Sequence, residues 1–281
     1  MSIRVITAAA SIVISMFVFA SASVAQQRLV LFIATTGVDA GDCTSSPCRT
    51  CRYALTQIPF GSRGLINFAP GVYSEPPNEN IVCNIFYHRV VWLQGPLDAD
   101  GNCIDPTQTV IRLTKPGASA FYVQDFAVAG MRCFTIEEAV GTDGKPVPLN
   151  GYAFSSRQHT VLDYGDVHVA VTGGVVLAEE MGMASCIAPV TIASDMIAYA
   201  AVSFGSKLNL GCPHTLPTRL NFSAYFAAAT SFSMINARGA TFSGDGAGTS
   251  TGLKCSGSRS EIVEPAAPHS FPGDQPCVLQ P

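Results

Sequence analysis

Short apolar runs broken by Gly, Pro or Asn set the pattern of this chain. Leu65–Glu75 reads LINFAPGVYSE, and its sequel Ile81–Gly95 reads IVCNIFYHRVVWLQG. In each, strand-forming residues meet a turn signal and the extended chain resumes within a few positions. Runs of this kind recur at a loose spacing of about twenty residues almost to the end, the pattern of a β-solenoid whose rungs bury one another. Candidate strands are Leu29–Ala34, Thr109–Leu113, Ala120–Gln124, Phe134–Glu137, Tyr152–Ser155, Val161–Tyr164, Val167–Val171, Val175–Ala178, Val190–Ala193, Ala198–Phe204, Leu208–Leu210, Leu220–Phe226, Ser231–Ile235 and Ala240–Phe242. The uneven steps between them also leave a β-sandwich open.

One helix signal stands among the strands. Thr50 is placed to cap it, and Cys51, Ala54, Leu55 and Ile58 fall on one helical face. Ahead of a stack of strands, such a helix covers the open end of the core. Loops rich in Gly, Pro and Asp are expected over Pro96–Pro106, Gly141–Asn150, Gly211–Pro217 and Gly244–Gly252, and a Pro-rich tail over 265–281, lying along the outside. No linker divides the body, so 26–264 reads as one domain.

Composition places that domain. Charged residues are 13% of the chain, against roughly 25% in ordinary soluble domains, which suits stacked strands better than solvated helices. The formal net charge is −4 and no basic face is visible, so no nucleic-acid partner is expected. Residues 1–25 carry Arg4, an apolar run Ile12–Ala20 and Ser23-Val24-Ala25, the parts of a cleavable export leader; an uncleaved anchor is the rival, since Val5–Ala25 is long enough to span a bilayer. Cleavage after Ala25 leaves a secreted, periplasmic or cell-surface protein without a membrane partner. All ten cysteines lie beyond Ala25, an even number in an oxidising compartment, and disulfides are expected. The local staples open to the spacing are Cys43 with Cys48 or Cys51, Cys83 with Cys103, and Cys255 with Cys277. Cys48-Arg-Thr-Cys51 has no second metal-binding pair to complete it.

The stretch LFIATTGVDAGDCTSSPCRTCRYAL, followed by INFAPGVYSE, resembles the opening of secreted right-handed parallel β-helix proteins of the pectate-lyase-like superfold. The resemblance covers Leu29–Glu75 by motif and the remainder by pattern, and it implies an all-β, right-handed parallel β-helix with a short N-terminal capping helix. Thr241–Leu253 with Phe271-Pro272-Gly273 is similar to the last rungs of bacterial β-helix proteins. Gly71-Val-Tyr73-Ser-Glu75 matches a G-x-Y-x-E motif of pectin methylesterases, β-helices that work with two aspartates and an arginine. Gln124-Asp125 and Asp163-Tyr164-Gly165 match those aspartate contexts only in part, and the Arg-Pro-Trp context is absent. The motif therefore reads as rung geometry, with Gly71 turning, Tyr73 packing and Glu75 facing water.

Candidate chemistry is sparse. Asp166 and His168, two apart on an extended chain, share a face and make a minimal acid–base pair, with Arg157, His159 and Asp163 nearby in sequence; Asp125, from the Gln124-Asp125 context, is a further candidate. Asp98, Asp100 and Asp105 in DADGNCID offer oxygens for a weak calcium site, without the spacing of a known calcium loop; no cofactor is otherwise called for. Glu137-Glu138 and Glu179-Glu180 face opposite sides of their strands and cannot share an ion. Tyr122, Tyr152, Tyr199 and Tyr225 are candidates for stacking against sugar rings, or for plain core packing. Two functions stay open. One is a non-catalytic β-helix presenting a stiff face to an extracellular polysaccharide or cell-surface partner; the other is a lyase or carbohydrate esterase acting on such a polysaccharide.

Overall fold

In the computed structural model, residues 28–140, 147–267 and 270–281 are described. The expected leader lies outside them, as does part of the loop 141–150. The chain coils as a right-handed parallel β-helix, the hand that parallel crossovers take. Every strand pairing is parallel, and each turn of the coil passes through three sheets.

The first sheet stacks β1 (Leu29–Ile33), β2 (Arg63–Phe68), β5 (Val90–Gln94), the first half of β8 (Val128–Glu138), the first half of β10 (Val161–Ala170), β12 (Met183–Cys186), β15 (Lys207–Asn209), β18 (Met234–Asn236) and β21 (Glu261–Val263). The second holds β3 (Gly71–Tyr73), β6 (Thr109–Leu113), the second halves of β8 and β10, β13 (Val190–Ile192), β16 (Pro213–Thr215) and β19 (Thr241–Ser243). The third runs from β4 (Ile81–Ile85) through β7 (Ser119–Val123), β9 (Tyr152–Arg157), β11 (Gly174–Glu179), β14 (Met196–Val202), β17 (Asn221–Thr230) and β20 (Thr251–Ser258) to β22 (Val278–Gln280). β8 and β10 serve two sheets because each bends at one left-handed residue, Cys133 (φ 65) and Asp166 (φ 52).

Inward positions stack like on like. Leu31, Ile66, Leu93, Met131, Tyr164 and Cys186 form one buried column, and Ile111, Ile136, Val169 and Ile192 form another. On the third sheet Cys83, Phe121, Phe154, Val176, Ala200, Ala227 and Cys255 continue the core. The loose spacing in the sequence reflects loops at the corners: Trp92 pairs with Gly130, 38 positions on, whereas Asp163 pairs with Ser185, 22 on.

Both ends are covered. Helix α1 (Cys51–Thr56) is shorter than its periodicity predicts, but Thr50 caps it as expected, its hydroxyl accepting from the Tyr53 amide at 3.2 Å. At the other end the tail does more than lie outside: Phe271 is buried against Phe226 and Phe242, and β22 adds the last strand of the third sheet.

The cysteines pair as Cys43–Cys48, Cys51–Cys83, Cys103–Cys133, Cys186–Cys212 and Cys255–Cys277. The pairing of Cys83 with Cys103 is thus corrected. Cys83 points into the core of the third sheet, where α1 brings Cys51, while Cys103 meets the corner residue Cys133.

Several strands escaped the sequence reading. β12, β21 and β22 are too short or too polar to signal themselves. β16 lies in a stretch expected to be loop, with Pro213 tolerated because it opens the strand. Ser231 and Phe232, expected in a strand, form a turn.

Candidate functional site: a groove over the first sheet

Outward residues of the first sheet also stack. Val30, Leu65, Trp92, Gly130 and Asp163 lie in one register column, and Phe32, Asn67, Gln94, Arg132 and Gly165 in the next. Over the first rungs these columns form the floor of a groove of about 810 Å3, reached also by Arg28. One wall is Pro47; the other is the loop that follows Gly95.

The floor is an aromatic plate beside a polar stripe. The Trp92 indole lies flat across Gly130 of the next rung. A β-carbon at Gly130 would sit 2.8 Å from Cδ2 of that ring and closer still to Cε3 and Cζ3, so only glycine allows this pose. Alongside, the Gln94 amide donates to Asn67 Oδ1 at 2.8 Å, and Arg132 donates to Gln94 Oε1 at 3.4 Å. Amides, a guanidinium and an exposed ring edge form a set of the kind that holds a polyhydroxylated ring: the plate takes its C–H face and the stripe its hydroxyls.

The wall is held rigid. Asp98 accepts from the amides of Asp100 (3.0 Å) and Asn102 (2.7 Å) and from the Asn102 side chain (3.2 Å), and the disulfide Cys103–Cys133 ties the loop to the corner of β8. Those bonds, led by the Asn102 amide, hold the Asp98 carboxyl below its usual range. Asp105 caps a 3-10 turn, Pro106–Gln108, by accepting from the hydroxyl and amide of Thr107, which lower its pKa likewise. The oxygens of Asp98, Asp100 and Asp105 do not gather to ligating distance. The groups of potential ligands among the described residues are instead Cys186, Cys212 and His214, and Cys255, Glu264 and Cys277, each built on a disulfide.

The acid–base candidates do not converge as a set. Asp163 faces outward on β10, next to Gly130 in register, and burial raises its pKa. Asp166 is the corner residue; burial raises its pKa, and the nearby Arg132 guanidinium opposes that shift. His168 lies past the corner on the second sheet, beside Thr135 and Thr191, with its pKa lowered by burial against the pull of Glu137. The alternation that put Asp166 and His168 on one face fails because Asp166 is left-handed rather than extended. Asp125 sits in a turn at the opposite margin of the sheet, as does His159. Arg157 is committed to Glu179 and lies over the Tyr122 ring.

Other expectations resolve locally. Tyr73 packs and donates to the Ala69 carbonyl at 2.8 Å, but Glu75 is buried rather than solvated, accepting from the Thr114 amide and hydroxyl, each at 2.8 Å. Glu137 and Glu138 do face opposite ways. Glu137 pairs with Arg112, whereas Glu138 is buried and accepts from the amides of Leu149 and Gly151 and from the Thr172 hydroxyl. Tyr199 is wholly buried and bonds His214 Nε2 at 2.7 Å, so it cannot meet a sugar. Tyr122, Tyr152 and Tyr225 are half-buried on the third sheet.

The groove residues Asn67, Trp92, Gln94 and Arg132 were not singled out from the sequence. Nothing local marks them, because Leu65-Ile-Asn67 and Trp92-Leu-Gln94 come into line only through the register of β2 on β5, and the prolines that follow stand one position out of step.

No protein-family model matches the chain, and no curated protein matches it in sequence. Two solved structures are similar in fold. YbhC of Escherichia coli aligns with a TM-score of 0.48 and 11% identity over 87% of this chain and 77% of that one. The pectin methylesterase from Aspergillus niger aligns with a TM-score of 0.41 and 14% identity over 88% and 89%.

Proposed function

We propose that this is an exported β-helix protein that binds an extracellular glycan in the groove over its first sheet. The observation that supports the reading is the flat indole of Trp92 beside the Asn67–Gln94–Arg132 stripe, in a groove walled by a disulfide-tied loop. Arg28 and Arg132 favour a chain bearing anionic groups. Five disulfides fit an oxidising compartment, in line with export. Trp92 is the single tryptophan, so its emission reports the groove alone. Titration with polygalacturonate, alginate and neutral xylan oligosaccharides should shift that emission, and Trp92→Ala, followed by glycan array because it has no tryptophan emission, should bind at least about five- to tenfold more weakly. Unchanged emission with every glycan, together with an empty glycan array, would remove the reading.

A second reading rests on Asp163 and Asp166, both with raised pKa on the face that carries Arg132. A carboxyl with a guanidinium nearby, as Asp166 has Arg132, and a second acid on the same strand, Asp163, are parts a carbohydrate esterase or lyase could use. Released methanol, reducing ends or unsaturated products, with or without calcium, would support it if Asp163→Asn or Asp166→Asn abolished them.

A further inference from the structure

The margin where the third sheet hands over to the first is a ladder of two-residue turns. Tyr87-His88, Asp125-Phe126, Gln158-His159, Glu180-Met181, Phe204-Gly205 and Ser231-Phe232 each hold both residues at positive φ. Stacked at rung spacing, they form an edge roughly 25 Å long. Left-handed backbone favours Gly, Asn and Asp and penalises bulky side chains. Yet this edge holds Phe126, Met181, Phe204 and Phe232 in it and turns them to water. With Phe60 at the preceding turn, the exposures are 67% for Phe60, 50% for Tyr87, 54% for Phe126, 52% for Met181, 62% for Phe204 and 81% for Phe232. His88, Phe126 and His159 stack in line at 5.2 and 5.1 Å. Two costs, strain and exposed apolar surface, thus fall on the same side chains with no core packing in return, which marks a contact surface.

We infer that this edge docks onto the interfacial layer of a lipid bilayer. Three observations choose the occupant. The first is shape: at about 200 Å2 for a large side chain, the exposures amount to roughly 700 Å2, and a rigid partner meets only the crest of so narrow a ridge. A stable protein pair buries about 800 Å2 on each side, whereas a fluid interface closes around a ridge.

The second is the backbone. His88, Phe126, His159, Met181, Gly205 and Phe232 donate their amides to carbonyls of the next turn, at 2.6 to 3.3 Å, so the edge enters a dry layer with these amides already paired. The third is charge. Along the turns and the strand starts beside them, Asp125, Glu180 and Glu261 are matched by Arg63, Lys207 and Arg259. Arg89 is buried under the Phe60 ring and bonds the Ile58 and Phe86 carbonyls, so the exposed charges balance, as suits zwitterionic headgroups. Among the described residues no helix is long and apolar enough to cross a membrane.

The test is flotation of the mature protein with vesicles of phosphatidylcholine, and of phosphatidylcholine mixed with phosphatidylglycerol. The protein should float with both. Emission from a Phe232→Trp variant, in a Trp92→Phe background, should shift to the blue on either. Phe126→Asn, Phe204→Asn and Phe232→Asn together should cut partitioning at least tenfold while leaving the melting temperature unchanged or higher, because asparagine suits the left-handed turns. Protein that stays unbound, or a triple variant that floats as well as the parent, overturns the inference. So does binding confined to the anionic vesicles, or a concentration-dependent dimer that the triple variant breaks while neither protein floats.

Discussion

Replacing Gly130 with alanine acts on the groove floor without changing the chemistry of any group that would contact a ligand, because it only displaces the Trp92 ring. The added methyl would lie 2.8 Å from Cδ2 of Trp92 and closer still to Cε3 and Cζ3, where carbon atoms rest at about 3.5–4.0 Å, so one side must move by more than about an ångström. The backbone of β8 is held on both flanks by β5 and β10, whereas the indole is partly exposed and free on its outer side. The ring therefore leaves the face and the sheet stays. Lost ring contact should cost about 1 kcal/mol of stability, a drop of about 2–4 °C in melting temperature for a chain of this size. Losing a stacking plate is worth about 1 kcal/mol in binding, so glycan affinity should fall about five- to tenfold. Emission of the single tryptophan gives the direct readout: in Gly130→Ala it should move to the red, as in a more solvated ring. An unshifted spectrum with unchanged affinity would refute the reasoning, because the indole would then not depend on the bare backbone beneath it.

His214 is wholly buried, and burial lowers its pKa from 6.5 to about 4. The unfolded chain therefore takes up a proton that the folded one refuses as pH drops from 6.5 towards 4, so stability should fall across that window by about 3 kcal/mol and level off below it. Urea midpoints at a series of pH values check this, and His214→Gln should flatten that part of the profile. Glu138→Ala leaves the amides of Leu149 and Gly151 and the Thr172 hydroxyl without their acceptor; thermal melting should show a loss of about 2–4 kcal/mol, with Glu138→Gln recovering part of it. Cys103→Ala with Cys133→Ala frees the groove wall; a stability loss of about 2–4 kcal/mol should appear in denaturant melts, with weaker glycan binding by fluorescence titration.

Fold class was legible because the runs around Leu65–Tyr73 and Val90–Gln94 show both sides of the device, strand formers and the turn that bends them. Corner loops hid the true period: the rung from Trp92 to Gly130 carries a disulfide-tied loop that the rung from Asp163 to Ser185 lacks. Site geometry was less legible for two local reasons. Strand alternation puts residues two apart on one face only while the chain is extended, and a single left-handed residue at 166 breaks the rule between Asp166 and His168. Contacts across rungs, such as Trp92 over Gly130 or Gln94 on Asn67, join positions tens of residues apart and are set by register, which no short window contains. The apolar edge was invisible for the same reason, since Phe126, Phe204 and Phe232 are isolated aromatics in polar surroundings until the turns are superposed.

In a coil of this kind each rung touches only the rungs above and below it. The groove occupies the first few, whereas the ladder of turns continues from Tyr87 to Phe232. An extra rung spliced beyond β12 would lengthen the greasy margin and leave the cleft as it is. The two surfaces can therefore drift apart in evolution, one growing like a ruler while the other keeps its lock.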